Sequence, residues 1–212
     1  MKKLISMFVV LALVFSFAIT AYAADTSNED HYALYNEYAQ IINNANETYG
    51  LDLSLLPFDQ IDDFCSPEEF FEIVSSYCQA RSVEFSAGPQ TTASSTGARG
   101  VGVVTVPNVR TKTYTEDTIT VTFYGTFDVR RDLEGRYYIA SKSFTTYTQS
   151  ASGIISFVVY GNPTTSLIDS GRTTVVTQKF EVVIRGYFSD YASVSASYYM
   201  SPANGNISAL SY

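Results

Sequence analysis

The hydrophobic pattern changes period once along this chain. Leu34, Tyr38, Ile41, Ile42, Ala45 and Tyr49 recur at intervals of three and four, which lines one face of an α-helix. Ser27 or Asn28 is placed to cap that helix, Glu29 and Asp30 fall in its first turn, where the helix dipole favours acids, and Gly50 is a natural stop. The next segment, LDLSLLPFDQIDDF, has no clean period and contains Pro57. It reads as a hydrophobic connection that lays Leu53, Leu56, Phe58 and Ile61 against the first helix. Ser66-Pro67-Glu68-Glu69 then announces a second helix, as a capping box with proline at the first helical position. Phe70, Phe71, Ile73, Val74 and Tyr77 form the apolar stripe behind it.

In FSAGPQTTASSTGARG, residues 85–100, glycine, serine and threonine dominate and no apolar period survives. That composition reads as a flexible linker or surface loop. Beyond it the period is two. In DTITVTFYGTFDV, Ile119, Val121, Phe123, Gly125, Phe127 and Val129 alternate with Thr118, Thr120, Thr122, Tyr124, Thr126 and Asp128, the pattern of a strand with one buried face. A turn over RRDLEGR brings the chain back through YYIASKSFTTYT, a hairpin across Arg130 to Gly135. GIISFVVYGNP is expected as a shorter strand ended by Asn162-Pro163. TTVVTQKFEVVIRGYF is expected as one strand with Val176, Phe180, Val182, Ile184 and Phe188 on a single side. GVGVVTVPNV, YASVSASYYM and a closing strand from Asn206, after a turn at Asn204-Gly205, complete the set. No helical crossover separates these strands. The expectation is an α+β chain: an N-terminal helical segment of two helices, then a mostly antiparallel β-sandwich or open barrel of six or seven strands.

The opening MKKLISMFVVLALVFSFAITAYAAD adds a compartment. Lys2 and Lys3 form a basic leader, residues 4–19 an almost unbroken apolar run, and Ala21-Tyr22-Ala23 a small-x-small end. This is the pattern of a signal peptide over residues 1–23, with the mature chain starting at Ala24. A retained anchor is the rival reading, because the run approaches bilayer-spanning length. The position of the Ala-x-Ala site and the acidic sequence after it favour cleavage. The organisation expected is therefore a signal peptide (1–23), an acidic helical region (24–84), the linker or surface loop (85–100) and a β-rich domain (101–212), in a soluble protein that is secreted or extracytoplasmic.

Charge sharpens that division. All 21 acidic residues lie beyond residue 23 but only 11 of the 13 basic ones do, so the exported chain carries a net charge of −10. Residues 25–84 hold 13 acids against Arg81 alone, whereas residues 85–212 hold 8 acids against 10 bases. Such a balance excludes nucleic acid as a partner, since phosphates require a basic surface. Opposite signs would also let the two regions pack together.

Candidate chemistry is sparse. Cys65 precedes the cap of the second helix and Cys78 lies in its last turn. A helix rises about 1.5 Å per residue, so thirteen residues separate them by roughly 20 Å, against the roughly 4.4 to 6.8 Å that a disulfide spans between Cα atoms. Two separate thiols are expected, and a Cys65–Cys78 bridge would require the helix to break early. An intermolecular bond is the third alternative in an exported chain. His31 is the only histidine and serves no nucleophile motif. The acids Asp59, Asp62, Asp63, Glu68, Glu69 and Glu72 lack the ligand spacing and glycine of a calcium loop, and read as a solvated face. No metal, cofactor or catalytic constellation is expected.

Tyrosine is the unusual component, with 17 copies and no tryptophan. Tyr137, Tyr138, Tyr187, Tyr191, Tyr198 and Tyr199 are candidates for an aromatic binding surface that would take a protein or carbohydrate ligand. Equally, they are residues that a sheet favours for cross-strand packing. The function expected is an exported binding or surface-associated role. The alternatives are a secreted hydrolase, using Asp128, Asp132, Glu134, Glu181 and Asp190 in pairs or His31 with Cys65 or Cys78, and a membrane-active protein inserting the alternating segment 114–147.

Overall fold

A computed structural model describes residues 28–88, 91–93, 101–114 and 117–211. The signal segment, Ser27 and residues 89–90 and 94–100 of the linker lie outside them. The chain divides into two compact units, Met1–Ala33 and Leu34–Tyr212. The first contributes the opening turns of helix α1, Asn28–Tyr49.

Within the second unit α1 buries Tyr38, Ile41, Ile42 and Ala45, the stripe read from its spacing. Helix α2 spans Pro67–Arg81, and the Ser66 hydroxyl accepts from the Glu69 amide at 3.2 Å, the first half of a capping box. Its buried side chains are Phe70, Val74, Tyr77 and Cys78. Tyr38 and Phe70 stack with ring centres 3.9 Å apart, which locks the two helices face to face. Between them, the Asn46 side chain closes the connection by donating to the Leu53 carbonyl at 2.9 Å and accepting from the Leu53 amide at 2.8 Å. Leu53 and Ile61 are buried there.

Among the described residues the strands are β1 (Ser54–Leu55), β2 (Ser86–Ala87), β3 (Thr92–Ala93), β4 (Gly102–Thr113), β5 (Thr118–Arg131), β6 (Tyr137–Ser150), β7 (Ile155–Ile168), β8 (Thr173–Ile184), β9 (Phe188–Met200) and β10 (Ile207–Leu210). They form two antiparallel sheets. The larger has the order β3-β10-β9-β8-β7 with β1 also on β9, and the smaller has the order β2-β4-β5-β6. The arrangement is an open sandwich behind two helices. Interval 85–100 supplies β2 to the smaller sheet and β3 to the larger.

The core lies between the sheets. Val121, Phe123, Phe127 and Val129 face inward from β5, and Val176, Phe180 and Val182 from β8. Tyr198 of β9 crosses the gap and donates its hydroxyl to the Phe123 carbonyl at 2.9 Å. Gly125 makes room for it: a Cβ there would lie 2.6 Å from the Phe127 ring and 3.0 Å from that of Tyr198. Beside β4 the sheets are tied together, with the Asn108 amide donating to the Ser197 carbonyl at 2.9 Å and Arg110 donating to the Leu210 carbonyl at 3.1 Å.

Two strand assignments from the alternation pattern are corrected. TTVVTQKFEVVIRGYF is not one strand. Arg185 and Gly186 both adopt positive φ, at 48° and 70°, and the Tyr187 amide returns to the Ile184 carbonyl at 2.9 Å, so a two-residue hairpin turn sends Phe188 into β9. Nor does Asn162-Pro163 end β7. The strand passes through an irregularity between Tyr160 and Thr164 and pairs with β8 as far as Ile168. The Gln178 amide holds that bulge, donating to the carbonyls of Tyr160 and Gly161 at 3.2 and 3.1 Å. Proline is tolerated because β7 is the last strand of its sheet, with one edge unpaired among the described residues.

Candidate functional site, a cation-lined cavity beneath the second helix

Strand alternation delivers the first part of the site. Val104, Val106, Asn108, Arg110 and Lys112 share one parity on β4, and all five are buried. The inward face of this strand thus changes from aliphatic to polar to cationic along its length, and Tyr114 continues the row as a buried aromatic. Arg110 and Lys112 line a cavity of about 500 Å³, whose other walls come from the end of α2, the segment after it and the first half of β9.

Helix α2 delivers the second part. The Asp190 carboxylate, 2% exposed, accepts from the Tyr77 hydroxyl at 2.8 Å, from the Arg81 guanidinium and from the Tyr191 amide at 2.7 Å. This pairing satisfies a charge that would otherwise be costly to bury, and it raises the Arg81 pKa further through its hydrogen bond. Tyr77 stacks on Tyr114 with ring centres 5.7 Å apart and planes within 3°. Burial, then the negative charge of Asp190, pushes the pKa of the Tyr77 hydroxyl up, so it remains a donor.

Lys112 closes the arrangement. Its ammonium donates to the Arg81 carbonyl at 3.0 Å, at the C-terminus of α2, where the helix dipole favours a cation. It also lies 5.0 Å from the centre of the Tyr114 ring and 5.6 Å from that of Phe85. Burial, then the neighbouring Arg81, lowers its pKa, and burial lowers that of Arg110 as well. The cavity therefore combines buried positive charge with an aromatic wall of Tyr77, Phe85 and Tyr114, and β9 borders it along residues 191–195. Glu84 is the carboxylate on its lining, and the Asp190 carboxylate is turned to Arg81 and Tyr77.

The six candidate tyrosines do not form one surface. Tyr187 and Tyr198 are core residues, Tyr137 and Tyr199 are half-buried, and Tyr138 and Tyr191 are exposed. Tyr191 borders the cavity through its place on β9, but its ring lies on the outer face of the larger sheet, where it meets Tyr160 edge to face at 5.2 Å. Tyr137 and Tyr138 line a separate cleft beside β6. The physical reason is strand parity, since adjacent residues such as Tyr198 and Tyr199 must point to opposite faces.

Four of the five acids proposed for hydrolysis, all but Glu181, are paired with arginines, Asp190 with Arg81 as described. Asp128 pairs with Arg130 at 2.9 Å, Asp132 with Arg136 at 2.9 Å and Glu134 with Arg136 at 2.7 Å. Both cysteines are free thiols. Cys65 is half-buried and Cys78 is buried, its pKa pushed up to about 11 by burial and by the charge of Asp190. His31 stands in the opening turns of α1, in the first unit. No metal-ligand cluster of three or more side chains occurs among the described residues, and none of their helices is long and apolar enough to cross a membrane.

Sequence reading did not single out Arg110, Lys112 and Tyr114. Their signal was available in VTVPNVRTKTY, where the parity of the aliphatic residues continues into them. No known protein family, curated protein or solved structure matches the chain.

Proposed function

We propose that the protein is an exported binding protein that takes a small anionic ligand in the cavity beneath α2. The observation that carries this reading is the inward row on β4, which brings Arg110 and Lys112, both buried, to a cavity of about 500 Å³ with aromatic walls. A side chain of this charge is costly to bury, and a carboxylate or phosphate held against Lys112 would offset that cost. The rings of Phe85 and Tyr114, which flank the Lys112 ammonium, suit a ligand with a flat or sugar-like body. Export is supported by the signal-like segment at residues 1–23.

The hydrolase alternative finds less support. Asp128, Asp132, Glu134 and Asp190 are each engaged by an arginine, and a Cys78 thiol titrating near 11 is protonated at neutral pH and a poor nucleophile. Titration calorimetry of the mature chain with inorganic phosphate, benzoate and glucuronate tests the binding reading. At least one anion should bind at a single site, and Lys112→Met should weaken it about tenfold or more. Absence of binding by all three, or equal affinity in the variant, overturns it.

A further inference from the structure

Strands β6 and β7 follow each other through a short turn at residues 151–154, yet they do not pair. Each is the terminal strand of a different sheet. Near the turn they are held close, the Thr148 hydroxyl donating to the Phe157 carbonyl at 3.1 Å. Away from it they leave between them a cleft of about 490 Å³, lined by residues 136–142 on one side and by Leu167 and Arg172 on the other. Every residue of 136–142 contributes to the lining, whichever face its side chain takes. A cavity with that lining runs along the strand edge, where unpaired main-chain donors and acceptors are directed.

The two edges are not equivalent. Pro163 blunts β7, because proline has no amide hydrogen to offer a further strand. β6 contains no proline. Its own irregularity, where Asp128 opposes Ser141 and Val129 opposes Ile139, leaves Ala140 as the extra residue. That insertion changes parity, so Lys142 and Phe144 join Tyr137 and Ile139 as the half-buried set. A cation is thereby turned into the cleft. None of the ion pairs among the described residues engages Lys142 or Arg172, whereas Arg136 is held by Asp132 and Glu134. Met200 and Pro202 add apolar lining.

We propose that the edge of β6 along residues 136–142 accepts an extended acidic peptide segment of a partner protein as a further strand of the smaller sheet. Its backbone pairs with β6, its carboxylates meet Lys142 and Arg172, and its apolar side chains lie on Tyr137, Ile139 and Met200. Charge argues against a second copy as the occupant. Lys142 is the only charged residue of β6 and β7 carries none, so self-pairing along either edge brings no opposite charge to the two cations. This site lies across β5 from the cavity beneath α2, and its fate is independent of that reading.

The test uses the mature chain and a fluorescein-labelled probe, Asp-Thr-Val-Thr-Val-Thr-Asp, whose acidic ends serve either strand direction. Fluorescence anisotropy should show binding of this probe and not of its counterpart with lysine for aspartate. The double substitution Lys142→Glu and Arg172→Glu should reverse the preference, weakening the acidic probe about tenfold or more and admitting the basic one, which also shows that the variant is folded. Two further probes, N-methylated at alternate residues in the two possible phases, isolate the backbone. Strand addition tolerates one phase and is abolished by the other. Failure of the acidic probe to bind, equal binding of both methylated probes, or dimerisation of the chain through β6 overturns the proposal.

Discussion

Replacing Asp117 with asparagine should unfasten two turns at once. The carboxylate is buried and accepts from the Ser150 hydroxyl and from the amides of Ala151, Ser152 and Ile155, each amide at 3.0 Å. Asp117 also exchanges backbone hydrogen bonds with Tyr114, so one side chain ties the β4–β5 connection to the β6–β7 turn. Burial pushes its pKa up, but the bonds from Ser150, Ser152 and Ile155 outweigh burial and bring it down to about 2. Relative to an ordinary carboxyl at 3.8, that is a little under two units, or about 2 kcal/mol of stability. Asparagine has the same shape, but its amide nitrogen cannot accept. At least one buried amide then loses its acceptor, adding about 1 to 2 kcal/mol.

The expected destabilisation at pH 7 is therefore about 3 to 4 kcal/mol, read from urea midpoints at constant m-value. The pH dependence has a fixed sign. A folded-state pKa below the unfolded one contributes stability that is present above about pH 4 and lost as pH falls toward 2. The gap between wild type and Asp117→Asn should accordingly narrow by about 2 kcal/mol between pH 5 and 2. The comparison cancels the titration of the other carboxylates. A variant within about 0.5 kcal/mol of wild type at pH 7, or a gap that stays constant to pH 2, would refute the anchoring role of this carboxylate.

Gly125→Ala should destabilise by about 1 to 3 kcal/mol in the same assay, because the new Cβ meets the rings of Phe127 and Tyr198; pairing it with Tyr198→Phe, which leaves the ring in place, should bring no recovery. In native buffer at pH 8, Cys78 should resist alkylation until urea unfolds the chain, its thiol being buried and shifted to about 11, and intact mass after denaturing alkylation should show two modified cysteines. Stability should fall above pH 10: Tyr38, Tyr77, Tyr114 and Tyr198 have folded pKa values raised first by burial, so the native state holds protons that the unfolded chain releases. A flat stability profile between pH 10 and 11 would contradict that burial.

Much of the fold was legible where one local rule sufficed. The serine-proline-glutamate box located α2 to the residue, since its hydrogen bond spans three positions. Alternation in β5 identified its buried face, because Ile119, Val121, Phe123, Phe127 and Val129 answer to a single period. The turn at Arg185-Gly186 was hidden because arginine seldom adopts positive φ, and only the pairing of β8 with β9 requires it. Asn162-Pro163 signals a stop in a central strand, and the sequence near it does not say that β7 is an edge. The distant Gln178 side chain supplies the hydrogen bonds that carry the chain through the bulge.

The site was harder to read because parity assigns a face without saying what that face meets. Asn108, Arg110 and Lys112 continue the buried phase of Val104 and Val106, yet a run of polar residues in that phase is also how a strand emerging into solvent looks. What decides between these is partners far away in sequence: the Ser197 and Leu210 carbonyls for Asn108 and Arg110, and the Arg81 carbonyl for Lys112. Arg81 itself, the one basic residue among 13 acids in residues 25–84, turns out to neutralise Asp190 from the far end of the chain. Its isolation was visible, but its meaning depended on α2 reaching β9. Polar residues can face inward on β4 because α2 and β10 supply carbonyl acceptors there; the edge of β6 lies on the other side of β5, beyond that supply, and Lys142 is left facing a cleft instead.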